Sequence, residues 1–166
     1  MKKRYAALIF CAIGLLLGSV TSEAKKKPSV TAESAIVMDV QSGAILYEKN
    51  IDKREYPASI TKVMTALVAI ENSSLSETVT YSRNAVTNLE SGASNIEIQP
   101  GEKLSMEDSL YAILLMSANE ACNGVAEHVA GSIDNFVAMM NQKAKELGCT
   151  GTHFANANGL WMSNHY

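Results

Sequence analysis

Three kinds of hydrophobic spacing divide the chain. Residues 35–50 hold two short apolar, strand-like runs around a turn: Ala35-Ile36-Val37-Met38-Asp39-Val40, then Gln41-Ser42-Gly43, then the return strand Ala44-Ile45-Leu46-Tyr47-Glu48. This pattern predicts a β-hairpin. A polar connection from Asn50 to Glu55 leads into Tyr56–Glu71, YPASITKVMTALVAIE, where the spacing becomes helical. Pro57 stands just before the predicted helix start, where a missing N–H costs nothing. From Ile60 on, Val63, Met64, Leu67, Val68 and Ile70 predict a helix buried on most sides.

Residues 72–104 are rich in Ser, Asn, Thr and Gly, with strand-like pieces at Thr78–Tyr81 and Ile96–Ile98 and a turn at Pro100-Gly101. Helical spacing then returns. Ser105 is a predicted N-cap, followed by Glu107 and Asp108, which complement the helix dipole, and by Met106, Leu110, Ile113 and Leu114 on one face. A break at Ser117-Ala118-Asn119 precedes a second helix, about Glu120–Ala130, ended by Gly131. A third helix has Ser132 as cap, Ile133, Phe136, Val137, Met140, Ala144 and Leu147 inward, and Gly148 at its end. Thr152–Ala155 reads as extended and Asn156–Gly159 as a turn. The methionines of this half read as core filler.

The N-terminus follows different rules. Lys2, Lys3 and Arg4 precede an apolar run from Tyr5 to about Val20, and Ser22-Glu23-Ala24 offers a small-x-small cleavage site. The stretch predicts a secretory signal peptide, residues 1–24, and an exported, extracytoplasmic chain. The run is short for a membrane span, so membrane contact is expected only through the signal peptide. Cys11, in mid-run, reads as incidental. Residues 25–33 read as a flexible basic linker and 34–166 as one domain.

With 166 residues, 47% hydrophobic and 19% charged, the chain can bury a core. Loss of the leader moves the net charge from −3 to −5, since three basic residues leave with one glutamate. No basic patch suggests nucleic acid. Cys122 and Cys149 of an exported chain could pair, or could remain buried thiols. No Cys/His cluster has metal-ligand spacing, and His128, His153 and His165 are scattered.

The candidate chemistry is Ser59-Ile60-Thr61-Lys62. A Ser-x-x-Lys at a helix start puts the amine one turn beyond the hydroxyl on the same face. Burial disfavours the charged form of a lysine, and a neutral amine can take a serine proton. The pattern alone is weak, because Ser22-Glu23-Ala24-Lys25 repeats it across the predicted cleavage site. Its context, a Pro-Ala lead-in and an apolar helix, distinguishes the second copy.

Ser117-x-Asn119, in the break between helices, adds a second element. With AIVMDVQSGAILYEKN, PASITKVMTAL, GEKLSMEDSLYAILLMSANEA and THFANANGL in the same order, residues 34–166 resemble the low-molecular-mass penicillin-binding proteins, the serine-type D-alanyl-D-alanine carboxypeptidases. The resemblance implies an α/β (α+β) fold of the β-lactamase/transpeptidase type: an antiparallel sheet flanked by helices, with a helical subdomain. It implies that Ser59 attacks the carbonyl between the last two D-alanines of a peptidoglycan stem peptide. Lys62 would accept the proton, Ser117 would pass it to the departing amine, and Asn119 would bind the substrate amide. β-Lactams would acylate Ser59 as substrate mimics. It calls for no metal or organic cofactor. A β-lactamase and a non-catalytic, penicillin- or peptidoglycan-binding remnant are the competing readings.

Two departures stand out. Glu120 occupies a position where this family usually has Asp. The family's third motif, Lys-Thr-Gly on a strand lining the site, does not occur; Cys149-Thr150-Gly151 lacks the lysine. That strand supplies part of the oxyanion hole, and loss of one such donor costs about 10²–10³ in turnover. The C-terminal strands that would pair with the hairpin are also missing, leaving an edge open. The expectation is a fragment of impaired stability and low activity.

Overall fold

The computed structural model describes residues 28–87 and 89–166. The predicted leader, Cys11 and Lys25–Lys27 lie outside the described residues. Two compact units divide after Lys53, the second comprising Arg54–Tyr166.

In the first unit, β1 (Ala35–Met38) pairs antiparallel with β2 (Ile45–Lys49), with a register shift between Val37 and Met38. The predicted strand is shortened at its end: Asp39 is drawn into the turn, where it accepts from the Ser42 N–H at 2.7 Å. Lys49 Nζ donates to the carbonyls of Val30 and Ala32, and Asn50 Nδ2 to that of Glu33. The segment before β1 is thus tied to the hairpin by side chains.

The second unit opens with a 3₁₀ turn, Ala58–Ile60, continuing into α1 (Thr61–Asn72). Next come β3 (Thr78–Thr80), α2 (Arg83–Thr87) and β4 (Lys103–Ser105), with β3 and β4 forming a second antiparallel pair. Three helices follow: α3 (Met106–Leu115), α4 (Asn119–Ala130) and α5 (Ile133–Glu146). Both predicted serine caps form: Ser105 Oγ accepts from the Asp108 N–H and Ser132 Oγ from the Asn135 N–H. Gly131, with φ 75°, closes α4 in the left-handed conformation.

Helix α4 is the centre of this unit. Residues Asn119–Ala126 are all buried, and the helix packs against α1, α2, α3 and α5. Gly124 permits this: a Cβ there would lie 2.3 Å from the Tyr81 ring. Around α4 the core gathers Val68, Tyr81, Met106, Ile113, Val125, Phe136 and Met140.

Several expectations are corrected. Helix α1 is not buried on most sides: Ile60, Val63 and Ile70 are exposed, and its inner face is Thr61, Lys62, Thr65, Ala66, Val68 and Ala69. Small and hydroxyl residues face inward because the neighbouring backbone comes close. Ile96–Ile98 forms no strand, since Glu97 turns the backbone at φ 62°. Leu147 is exposed rather than inward. Cys122 and Cys149 are free, but of the two only Cys122 is buried; Cys149 lies past α5 and is exposed. Burial pushes the Cys122 thiol up to about 12, so it remains a thiol.

Among the described residues, no helix is long and apolar enough to cross a membrane, and no group of three or more His, Cys, Asp or Glu could hold a metal ion. The last residues fold back on themselves. His153 and Tyr166 exchange both backbone hydrogen bonds, at 2.6 and 2.9 Å, and Arg54 stacks 3.8 Å over the Tyr166 ring. This closure positions the loop of residues 156–159.

Candidate active site

Three separate segments converge on the start of α1. The first is the 3₁₀ turn. Ala58 has φ 48°, a conformation that costs a non-glycine residue about 1–2 kcal/mol. It holds Ser59 at the exposed surface of the turn, while Lys62, one turn later, is 3% exposed.

The second segment is the break between α3 and α4. Ser117 also adopts a left-handed backbone, φ 55°. That turn ends α3 and brings Ser117 Oγ to 2.8 Å from Ser59 Oγ. Asn119 begins α4 and is buried. Its backbone N–H and its Nδ2 both donate to the Ser94 carbonyl, at 3.0 and 2.9 Å. The amide oxygen therefore faces the other way and accepts from Lys62 Nζ at 2.9 Å.

The third segment is Asn156–Gly159. Asn156 Oδ1 accepts from the N–H groups of Asn158 and Gly159, folding the loop tightly. The Asn158 carbonyl accepts from Lys62 Nζ at 2.6 Å, and the Ala157 carbonyl from Thr65 Oγ1 at 2.5 Å. Gly159 fits where no side chain could. Its φ is 85°, and a Cβ would fall 1.9 Å from the Ala58 carbonyl oxygen. His165 completes the fastening. Its Nδ1 accepts from the Ala155 N–H, so Nε2 carries the proton and donates to Thr61 Oγ1 at 2.8 Å. Burial, aided by His153, lowers its pKa.

Lys62 Nζ thus touches Ser59 Oγ at 3.2 Å, the Asn119 amide oxygen and the Asn158 carbonyl. Two of these partners can only accept. A neutral amine has two N–H bonds and one lone pair. In that form its N–H bonds would satisfy Asn119 and Asn158, and its lone pair would face the Ser59 hydroxyl. Ser59 would then donate to Lys62 and could accept from Ser117. The three contacts can equally take the three N–H bonds of an ammonium; burial lowers the Lys62 pKa toward the neutral form, opposed by the nearby Glu120. Chemically, the arrangement can deprotonate an exposed serine and return the proton through a second serine.

The structure brings together all four residues singled out in the sequence, Ser59, Lys62, Ser117 and Asn119. Sequence reasoning missed the carbonyls of Ser94 and Asn158, which no residue type encodes. It also missed Gly159 and His165. The turn Asn156–Gly159 was legible, and its glycine was the one available signal that backbone approaches closely there.

Comparison with known proteins matches residues 21–166 to the D-alanyl-D-alanine carboxypeptidase family. The chain is 35% identical over 175 residues to the D-alanyl-D-alanine carboxypeptidase DacF of Bacillus subtilis (strain 168), covering 99% of this chain and 44% of that protein. It is 37% identical over 141 residues to DacC of Escherichia coli (strain K12), covering 80% and 35% respectively. The structure of penicillin binding protein 5 from Haemophilus influenzae superposes with a TM-score of 0.78 at 32% identity, over 85% of this chain and 42% of the other. The chain therefore spans less than half the length of these relatives.

Proposed function

The chain belongs to the D-alanyl-D-alanine carboxypeptidase family, and from that premise we propose that it carries the acylating half of a serine carboxypeptidase acting on peptidoglycan stem peptides outside the cytoplasm. The observation that carries this reading is the lysine: Lys62 is buried among neutral acceptors, with its third contact the hydroxyl of an exposed serine.

In the proposed reaction, Ser59 Oγ attacks the carbonyl carbon between the last two D-alanines as its proton passes to Lys62 Nζ. The tetrahedral intermediate collapses by breaking the C–N bond. The proton held by Lys62 travels through Ser117 Oγ to the departing amine, and D-alanine leaves. The two left-handed residues fix this relay, since they set the 2.8 Å separation of the two hydroxyls. Asn119 fixes the amine and has a second lone pair on its oxygen for a substrate N–H. Water then cleaves the ester on Ser59. A β-lactam enters the same step, but its leaving amine stays tethered, so the acyl-enzyme persists.

The test is intact mass after incubation with benzylpenicillin, for this chain and for Ser59→Ala. We expect an increase of one penicillin mass on the first and none on the second. A folded protein that gains no mass, or an equal gain on Ser59→Ala, overturns the reading.

A further inference from the structure

The Glu120 side chain is buried without evident use. It is 1% exposed, directly follows Asn119, and has no place in the proton relay. Its Oε1 accepts from the Ile96 N–H at 2.6 Å. Its Oε2 is the buried side-chain oxygen that, among the described residues, has no hydrogen-bond partner. A half-satisfied buried carboxylate is costly. What it holds is the short loop across which Ser94 and Ile96 face α4. Ser94 accepts twice from Asn119, and Ile96 donates to Glu120. Within the loop, Asn95 Oδ1 accepts from the Glu97 N–H and Asn95 Nδ2 donates to the Ala93 carbonyl. The loop therefore sits as one piece, joined to the start of α4 through two consecutive residues.

Resting on the reading of Ser59 as nucleophile, we infer that Glu120 is a positioning residue for acylation. Its carboxylate holds the 94–97 loop so that the Ser94 carbonyl fixes the Asn119 amide with its oxygen toward Lys62. The orientation of that amide matters because an amide has two unlike ends. With the oxygen inward, Lys62 donates to it and keeps its lone pair for the Ser59 proton. With the amide turned over, Nδ2 would face Lys62 and take up that lone pair. Ser94 is the acceptor that opposes the turned state, and Glu120 is the acceptor that holds Ser94 in place.

Glu120→Ala removes the tether, Glu120→Leu removes it while filling the space, and Glu120→Gln keeps an oxygen that can accept from Ile96. Benzylpenicillin acylation and amide hydrogen exchange would be followed on the same samples. We expect Glu120→Ala to acylate more slowly by about 10²-fold, as small misplacements do, with the Ile96 and Asn119 amides losing protection while α1 keeps its own. Glu120→Leu should behave alike, and it stands in should the alanine variant not fold. Glu120→Gln should restore both rate and protection. Unchanged acylation in the alanine or leucine variant overturns the inference. So does slow acylation in Glu120→Gln with both amides still protected, which would assign the effect to charge. If the parent chain itself gains no penicillin, the nucleophile reading fails. The exchange data then decide the tether separately: Ile96 and Asn119 unprotected only without the acceptor supports it, and no change refutes it.

Discussion

Helix α1 has a lysine at each end, and the two are opposites. At its start, Lys62 belongs to the helix, is buried, and touches a hydroxyl, an amide oxygen and a carbonyl. At its end, Lys143 reaches over from α5 to Glu71 at 2.6 Å and Glu146 at 3.2 Å, near the surface. Burial lowers the first pKa, and hydrogen bonds to two carboxylates raise the second. The same group is prepared at one end to give up its proton and at the other to keep it. Carboxylate contact holds a lysine charged, while burial away from carboxylates favours the neutral form that the proposed base requires.

Replacement of either lysine tests this contrast most directly. Lys62→Met should slow penicillin acylation by about 10²–10⁴-fold, the range of a general base. Rates from time-resolved intact mass would erase the contrast if they matched the parent. Gly159→Ala attacks the same end through the backbone. Its Cβ would meet the Ala58 carbonyl at a strained φ. Urea unfolding should show a loss of about 3 kcal/mol, and an unchanged midpoint would mean the turn yields freely.

The pH dependence sharpens the comparison. Because the Lys62 pKa lies below its ordinary 10.5, the acylation rate should rise with pH and level off before 10.5. Lys143→Met should leave that profile in place, and a profile that moved with Lys143 would join two sites the structure keeps apart. His165 gives a smaller effect of the same sign. Its folded pKa is lowered below 6.5, so the unfolded chain binds the proton first. Its contribution to stability is complete above 6.5 and is lost as pH falls from 6.5 through the lower folded value. The thermal midpoint should fall from pH 7 to pH 5 in the parent and fall less in His165→Gln. An equal fall in both would exclude His165 as the cause. The smallest change is in stability at Lys143. Its partners are about half exposed, so Lys143→Met should barely move the urea-unfolding midpoint. A larger loss would make the surface pair a structural element.

Much of this was readable before any coordinates. The hairpin, the helix start at Pro57, both serine caps and the break at Ser117–Asn119 follow from local rules, because turn residues, caps and spacing act on the chain within a few residues. Misreadings came where distant segments decide. Ile60, Val63 and Ile70 looked like core, yet the inner face of α1 is Thr61, Lys62, Thr65, Ala66, Val68 and Ala69, because the Asn156–Gly159 loop and α4 pack on that side. The helix Arg83–Thr87 and the strand Lys103–Ser105 were not legible within a polar stretch, since five and three residues carry too little periodicity.

The sequence by itself determined the chemistry available: a serine and a lysine one helical turn apart, and a second serine and an asparagine at a helix break. Those relations are set by residue type and by spacing along one element. The tertiary structure alone decided which proton goes where. In the neutral amine the Lys62 lone pair is left for Ser59, because two oxygens, one of them the carbonyl of Asn158, ninety-six positions away, take its N–H bonds. The Asn119 amide is turned correctly because Ser94 lies behind it. Backbone carbonyls have no letter in the sequence, and only folding brings them to a lysine.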